Sequence, residues 1–475
     1  MDRKSGVLMH ISSLWGEYSC GSFGKAAVEF VDFLSDCGFT YWQVLPFCPA
    51  DDYNSPYKSY STFAGNPYFI DLEQLFDEGL ILSEELNVAR QNTPYLCEFE
   101  RLREERLELL FKAAGRAGNT AEIEKFVSEN PYIYDFCEFM ALKTANEQKP
   151  WWEWNYDKAD ENILFGWKFI QFKFFEQWSK IKAYANKKEI KIIGDIPFYV
   201  AMDSSDVWKN TDEFMIDDKN VPYAVAGVPP DYFCEDGQLW GNPLYNWDKM
   251  KESGYKWWSD RMSAMLKMFD GVRIDHFRAI ESFWAVPYGD ETARNGKWVK
   301  GPRMELVSTI RKLAGDKLII AEDLGDITDE VNALVDESGF PGMRVFQFGF
   351  LGGESTHKPH NYKNNCVAYS GTHDNNTLLG YLWELSDELR CEMLEYCGYN
   401  DGDWNSGFDS MLRTLWQSAA GLAIVPVQDL LGYGADTRLN TPGKADGNWK
   451  FRITREQLDT INREKFRRLN RLYYR

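Results

Sequence analysis

The stretch FDGVRIDHFR, Phe269 to Arg278, governs how this chain is read. Gly271 to Ile274 is a short apolar run interrupted only by Arg273, the pattern of a strand buried on both faces in a parallel sheet. Side chains alternate along a strand, so Arg273 and Asp275 share one face while Val272 and Ile274 take the other. An Arg two residues before a carboxylate favours its ionised form and fixes its rotamer. Taken by itself, the segment allows two readings: a carboxylate nucleophile, or a structural ion pair closing a strand end.

Outward from that strand, comparable runs recur. Gly6 to His10, Phe39 to Pro46 and Glu189 to Ile196 precede it, and Lys317 to Glu322, Gly342 to Gln347, Cys366 to Ser370 and Leu422 to Val427 follow. Helical patterns separate most of them, among them Ala26 to Cys37, Phe165 to Lys188, Arg303 to Lys312, Thr328 to Asp336 and Asn376 to Cys391. Eight strands alternating with helices predict an α/β fold, a closed (β/α)8 TIM barrel with helical and loop insertions. An open doubly wound sheet usually carries a Gly-rich phosphate turn after its first strand, and Ser12 to Gly16 has none.

The expected organisation is one catalytic barrel over residues 1–475. A helical, charged insertion occupies 72–160 after the second strand, and an aromatic loop insertion occupies 200–262 after the third. Within the latter, Ala224 to Trp247 mixes Gly, Pro, Asn and aromatic residues, which argues against a regular helix or central strand and for a functional loop. Its candidate contacts are Tyr232, Phe233 and Trp240. The Tyr-, Ser- and Asn-rich stretch 51–71 reads as a second binding loop, from which Ser55 and Tyr57 are the candidates, with turn chemistry as the plain alternative.

Composition narrows the function. A net charge of −20 argues against a nucleic-acid partner, which needs clustered Lys and Arg. No apolar stretch is long enough for a membrane span, and nothing near the start resembles a signal peptide. Nine cysteines without Cys-x-x-Cys spacing point to reduced thiols, hence a cytoplasmic protein without structural zinc. With five His in total, no His-rich metal centre and no cofactor are expected. Aromatics at 16% supply flat apolar faces suited to sugar rings, although core packing is the default for most.

In a barrel, catalytic groups collect where strands end at the C-terminal face. Here those ends carry Asp195, Asp275-His276, Glu322-Asp323 and Thr372-His373-Asp374. Converging carboxylates repel one another unless a positive transition state is stabilised there, as in glycoside chemistry through an oxocarbenium-like state. Mg²⁺ or Ca²⁺ held by Asp195, Glu322 and Asp374 is the competing reading, weakened by the positive charge of Arg273. Any single acid could instead cap the helix after it, Asp323 especially.

The segments GDIPFYVAMDSSDVW, AGVPPDYFCEDGQLWGNPLYNW, FDGVRIDHFRAI, IIAEDLG, KPHNY and GTHDNNT, with SPYKSYSTFAGNPYFIDL, resemble 4-α-glucanotransferases of the amylomaltase (disproportionating enzyme) family. The likeness runs from Gly6 to Arg452. It implies a retaining α-glucan transferase related to the α-amylase superfamily, lacking that superfamily's separate C-terminal β-domain. By match of motif it makes Asp275 the nucleophile, Glu322 the general acid/base and Asp374 the transition-state stabiliser. Asp195, Arg273, His276 and His373 would complete the subsite of the attacked glucose, and Tyr57, Asp231, Tyr232, Phe233 and Trp240 would line neighbouring subsites. The substrates would be maltooligosaccharides and starch-type glucans. An α-amylase-like hydrolase shares the three acids, but amylases commonly place Asn-His in the third strand, where this chain has DIPFYV. A non-catalytic glucan-binding protein is disfavoured because all three carboxylates are present.

Overall fold

Each barrel strand is a brief, mostly buried apolar run, and eight of them close into a ring. In the computed structural model, which describes residues 2–50, 53–230, 235–399, 404–444 and 446–475, they are β1 (Lys4–Leu8), β2 (Tyr41–Gln43), β3 (Lys191–Ile196), β4 (Gly271–Ile274), β5 (Leu318–Ala321), β6 (Gly342–Val345), β7 (Cys366–Tyr369) and β8 (Leu422–Pro426). Neighbours in sequence are neighbours in space, and β8 pairs with β1 in parallel, from Lys4 opposite Leu422 to Leu8 opposite Pro426. All eight expected strands form, with ends shifted by a few residues. Val7, Val272, Ile274, Val367 and Ile424 have no exposed surface, which is why their runs read as continuously apolar.

Gly194 on β3 shows how tightly the ring packs. A Cβ there would lie 2.2 Å from the Phe269 ring, so the small residue admits the aromatic that leads into β4. This close approach sets Asp195 beside Arg273 across the β3–β4 ladder.

Between β2 and β3 the chain forms several helices, including Leu107–Ala117, Ala121–Glu129 and Pro131–Ala145. It then returns through Glu161–Lys187, a helix of 27 residues whose first turn is capped by the Asp160 carboxylate accepting from Asn162 and Ile163 N–H. That helix buries Phe169, Phe174 and Trp178.

Two expectations need correction. The segment from Ala224 is not all loop: Ala224–Val228 and Gln238–Pro243 join Ser282–Pro287 and Lys297–Lys300 in an antiparallel four-stranded sheet. Ala224–Val228 lies inside that sheet, paired on both sides. Its second partner comes from the connection after β4, a distant pairing that no local pattern of Gly and Pro reveals. The helical pattern Asn376 to Cys391 also divides, into Leu378–Glu384 and Asp387–Tyr396, because the Ser386 hydroxyl accepts from Leu389 N–H and starts a new helix. After β8 the described residues form short helices, turns and loops, with an isolated antiparallel bridge from Phe451 to Leu96, and the last helix is Arg463–Leu472. No described helix is long and apolar enough to cross a membrane.

Candidate active site

Arg273 is the hub of the barrel's C-terminal rim. It faces inward near the end of β4, and its Nη1 donates to both Asp195 oxygens, at 2.8 and 2.7 Å. Its Nη2 lies 2.8 Å from Asp275 Oδ1, so one guanidinium joins carboxylates from two strands. Asp195 and Arg273 are buried, whereas the Asp275 side chain keeps 30% of its surface open to the cleft.

The expectation that Arg273 orients Asp275 holds, but its effect on the proton balance is outweighed. Burial is the larger influence on Asp275 and the negative charge of Asp195 adds to it, so the carboxyl sits near 6 despite Arg273. Glu322, directly after β5, accepts from His276 N–H at 2.7 Å and Leu324 N–H at 2.8 Å. Burial raises its proton affinity and the neighbouring Asp275 charge raises it further, bringing Glu322 to about 7 against the pull of Arg273 and the two N–H donors.

His276 adopts a left-handed backbone, φ 51 and ψ 43, uncommon for a non-glycine residue. This turn directs its N–H at Glu322, and the next residue's N–H donates to the Glu322 carbonyl at 3.2 Å. Burial, with help from Arg278, lowers the imidazole to about 3, so the ring is neutral at physiological pH. Trp240 stands edge-on to it, centroids 4.8 Å apart.

Across the cleft, the loop after β7 carries His373 and Asp374. The Tyr57 ring stacks on His373 at 5.0 Å, and its hydroxyl donates to Asp195 Oδ2 at 2.7 Å, linking the two sides. Burial alone would raise Asp374, but His373, 3.2 Å away, and the Asn440 amide, donating at 2.6 Å, draw it down to about 2. Ser55 supports this arrangement, its hydroxyl accepting from Tyr57 N–H at 3.3 Å, and so shapes the turn that presents Tyr57.

Asp195, Tyr57, Arg273, Asp275, His276, Glu322, His373 and Asp374 thus form one connected constellation, with Trp240 at its edge. Asp231, Tyr232 and Phe233 lie outside the described residues. Asp323 does not cap a helix: it accepts from Met343 N–H at 2.6 Å and Arg344 at 3.0 Å, tying β5 to β6. Among the described residues no group of three His, Cys, Asp or Glu side chains is arranged to hold a metal ion.

Asn440 and Trp449 belong to the site; they lie in NTPGKADGNWKFR, the last segment of the family likeness, which by itself assigned neither of them a role. Trp449 flanks the Tyr57 and His373 rings, each at 5.9 Å. Their segment is anchored by Cys97 N–H to the Lys450 carbonyl and Asn440 N–H to the His373 carbonyl, contacts made far apart in sequence. The Asn, Pro and Gly content of residues 440–449 signals a loop but not where it lands.

The profile of the 4-alpha-glucanotransferase family matches residues 9–458. A 4-alpha-glucanotransferase of Clostridium butyricum is 42% identical, over 98% of this chain and 99% of its own length. One from Streptococcus pneumoniae is also 42% identical, over 100% and 97%. Among solved structures, amylomaltase from Streptococcus agalactiae in complex with acarbose superposes with a TM-score of 0.95 at 38% identity, covering 100% of both chains. With its closed barrel and acidic rim, the chain belongs to the 4-alpha-glucanotransferase family.

Proposed function

We propose that this enzyme transfers α-1,4-glucan segments between maltooligosaccharides by retaining double displacement, with Asp275, Glu322 and Asp374 as its working carboxylates. Asp275 attacks the anomeric carbon and the glycosidic bond breaks, while Glu322 gives its proton to the departing 4-oxygen. A covalent glucosyl ester remains on Asp275. Glu322, now ionised, takes the proton of an acceptor's 4-hydroxyl as that oxygen attacks the same carbon and frees Asp275. Two inversions give net retention.

The observation that carries these roles is the pair Asp275 and Glu322 beside Arg273. Burial raises both carboxyls, and Glu322, further from the cation that Asp275 contacts and held in place by two N–H donors, keeps its proton to higher pH than Asp275, which suits it to serve as both acid and base. Asp374, whose low proton affinity and Asn440 hydrogen bond support a permanent negative charge, accepts from sugar hydroxyls in this reading. Asp195, Arg273, His276, His373, Tyr57 and Ser55 shape the subsite of the attacked glucose, and Trp240 its neighbour.

In this reading residues 1–475 act as one catalytic unit, and the 72–160 and 200–262 insertions wall its cleft. Eight described cysteines are free thiols, which supports a cytoplasmic setting. Incubation of the protein with maltotriose alone tests the function. Longer maltooligosaccharides with glucose as by-product are expected; glucose and maltose without longer products would make it a hydrolase.

A further inference from the structure

The chain leaves the barrel at the end of β3 through Pro197, which has no N–H and cannot extend the strand's ladder. The carbonyls of Pro197 and Phe198 are taken instead by Arg261, on the helix Lys256–Met268 that leads into β4. Its Nη1 donates to the Phe198 carbonyl at 3.0 Å and its Nη2 to the Pro197 carbonyl. The Tyr245 hydroxyl donates to the same Phe198 carbonyl at 2.6 Å and accepts from Arg261 Nη1 at 3.4 Å.

A guanidinium is costly to bury, and Arg261 is only 1% exposed. The two carbonyls offset part of that cost, as do the rings of Trp257 and Trp258, whose centroids lie 5.4 and 5.1 Å from its guanidinium carbon. An apolar side chain of similar volume would occupy the site at lower cost, so the cation implies a geometric task. The surrounding packing agrees. Arg261, Asp195, Pro197, Met265 and Phe269 border a cavity of about 10 Å³, room for one water, so close contact alone does not fix the strand end against the helix.

The strand end bears directly on the reacting group. The Ile196 carbonyl accepts from Asp275 N–H at 3.0 Å. The Asp195 carboxylate holds Arg273, whose Nη2 lies 2.8 Å from Asp275 Oδ1. Both routes to Asp275 start within two residues of Pro197. We propose that Arg261 is a positioning residue for the reaction: it fixes the end of β3 and, through the Ile196 carbonyl and the Asp195 carboxylate, keeps Asp275 in the geometry its attack needs. This rests on the transferase reading with Asp275 as nucleophile and adds to it a residue buried outside the cleft.

The competing role is plain helix–strand stability, which would lower the melting temperature and leave turnover of the folded enzyme intact. A misplaced nucleophile instead lowers kcat, with KM held by the groups that bind the sugar. Initial rates of maltotriose disproportionation, taken well below each protein's melting temperature, would compare the wild type with Arg261→Met, Arg261→Lys and Tyr245→Phe. Arg261→Met removes every donor, Arg261→Lys can serve one carbonyl but not both, and Tyr245→Phe deletes the second donor to Phe198 with Arg261 in place. The expected kcat falls roughly tenfold to a hundredfold in Arg261→Met, less in Arg261→Lys and a few-fold in Tyr245→Phe, with KM within about twofold throughout. Wild-type kcat in the folded variants, or a change confined to KM, would overturn the proposal. Should Arg261→Met not fold, the other two variants decide by the same criterion. If the wild type releases only glucose and maltose, the transferase reading falls, and the same kcat comparison, made on hydrolysis, still judges Arg261.

Discussion

Asp275 and Asp374 face one cleft from opposite sides and hold protons in opposite ways. Both are burdened by burial. Asp275 has Arg273 at 2.8 Å but shares that cation with Asp195, whose negative charge opposes its ionisation, and it rises to about 6. Asp374 has His373 and the Asn440 amide beside it and falls to about 2. Proximity to a cation therefore does not by itself set a carboxylate's proton affinity; the number of acids competing for that cation also counts. The Asp275 side, with Glu322 near 7, suits proton transfer and attack, and the Asp374 side suits permanent charge.

Neutralising one side at a time puts this contrast at risk most directly. Asp275→Asn is expected to lower transfer from maltotriose on the order of 10³- to 10⁵-fold, measured as chain-length redistribution. Retained turnover would remove Asp275 from its role.

A smaller effect is expected from Asn440→Ala, which deletes one hydrogen bond to an ionised group. The Asp374 pKa should rise and kcat/KM fall roughly tenfold to a hundredfold. The acid limb of the rate profile, assigned to Asp275, should move little, because Asp374 stays ionised in the variant and its charge still acts on Asp275; a large shift would mean that Asp374 had lost that charge.

The pH profile refines the same contrast. The proposed mechanism needs Asp275 ionised, so kcat/KM should fall below about pH 6, and Glu322 protonated for the first step, so it should fall above about pH 7. In Asp275→Asn a negative neighbour disappears, and the Glu322 pKa should drop, read by difference infrared titration of the carboxyl bands. An unchanged value would show burial alone at work.

The smallest effect concerns the support of the Asp374 loop. Asp429 is fully buried, accepts from the Ser370 hydroxyl at 2.5 Å and Leu378 N–H at 2.8 Å, and is raised by burial to about 6. Its protonated form favours the folded state, so this stability is present below about pH 4 and lost as pH rises through 6. Asp429→Asn should therefore cost more stability at pH 5 than at pH 7.5, by about 1 kcal/mol, in denaturant melts.

Much of the barrel was legible because a strand buried on both faces cannot disguise itself: Gly271–Ile274 and Leu422–Pro426 are apolar runs whose spacing alternates with helices. The rim acids were legible because strand ends in such a barrel face one side. The four-stranded sheet was not, since Ala224–Val228 finds Ser282–Pro287 only after the barrel has brought two connections together. Asn440 and Trp449 lay in a segment that carries the family likeness, but their contacts were hidden for the same reason: loop composition signals a turn, not its destination.

The alternation of elements, the identity of the acids and, through its motifs, the family were thus written in the chain itself. Folding in three dimensions settled that Arg273 serves two carboxylates and that burial, with the Asp275 charge beside it, raises the proton affinity of Glu322. It also settled which residue supports Asp374. The adjacent Asn375 accepts from the Thr372 N–H and hydroxyl within its own loop, while distant Asn440 donates to the Asp374 carboxylate. The physical reason is that local pattern reflects backbone geometry and solvent exposure, which neighbours in sequence share. Proton affinity is set by burial and by charges a few ångströms away, which only the folded chain brings together.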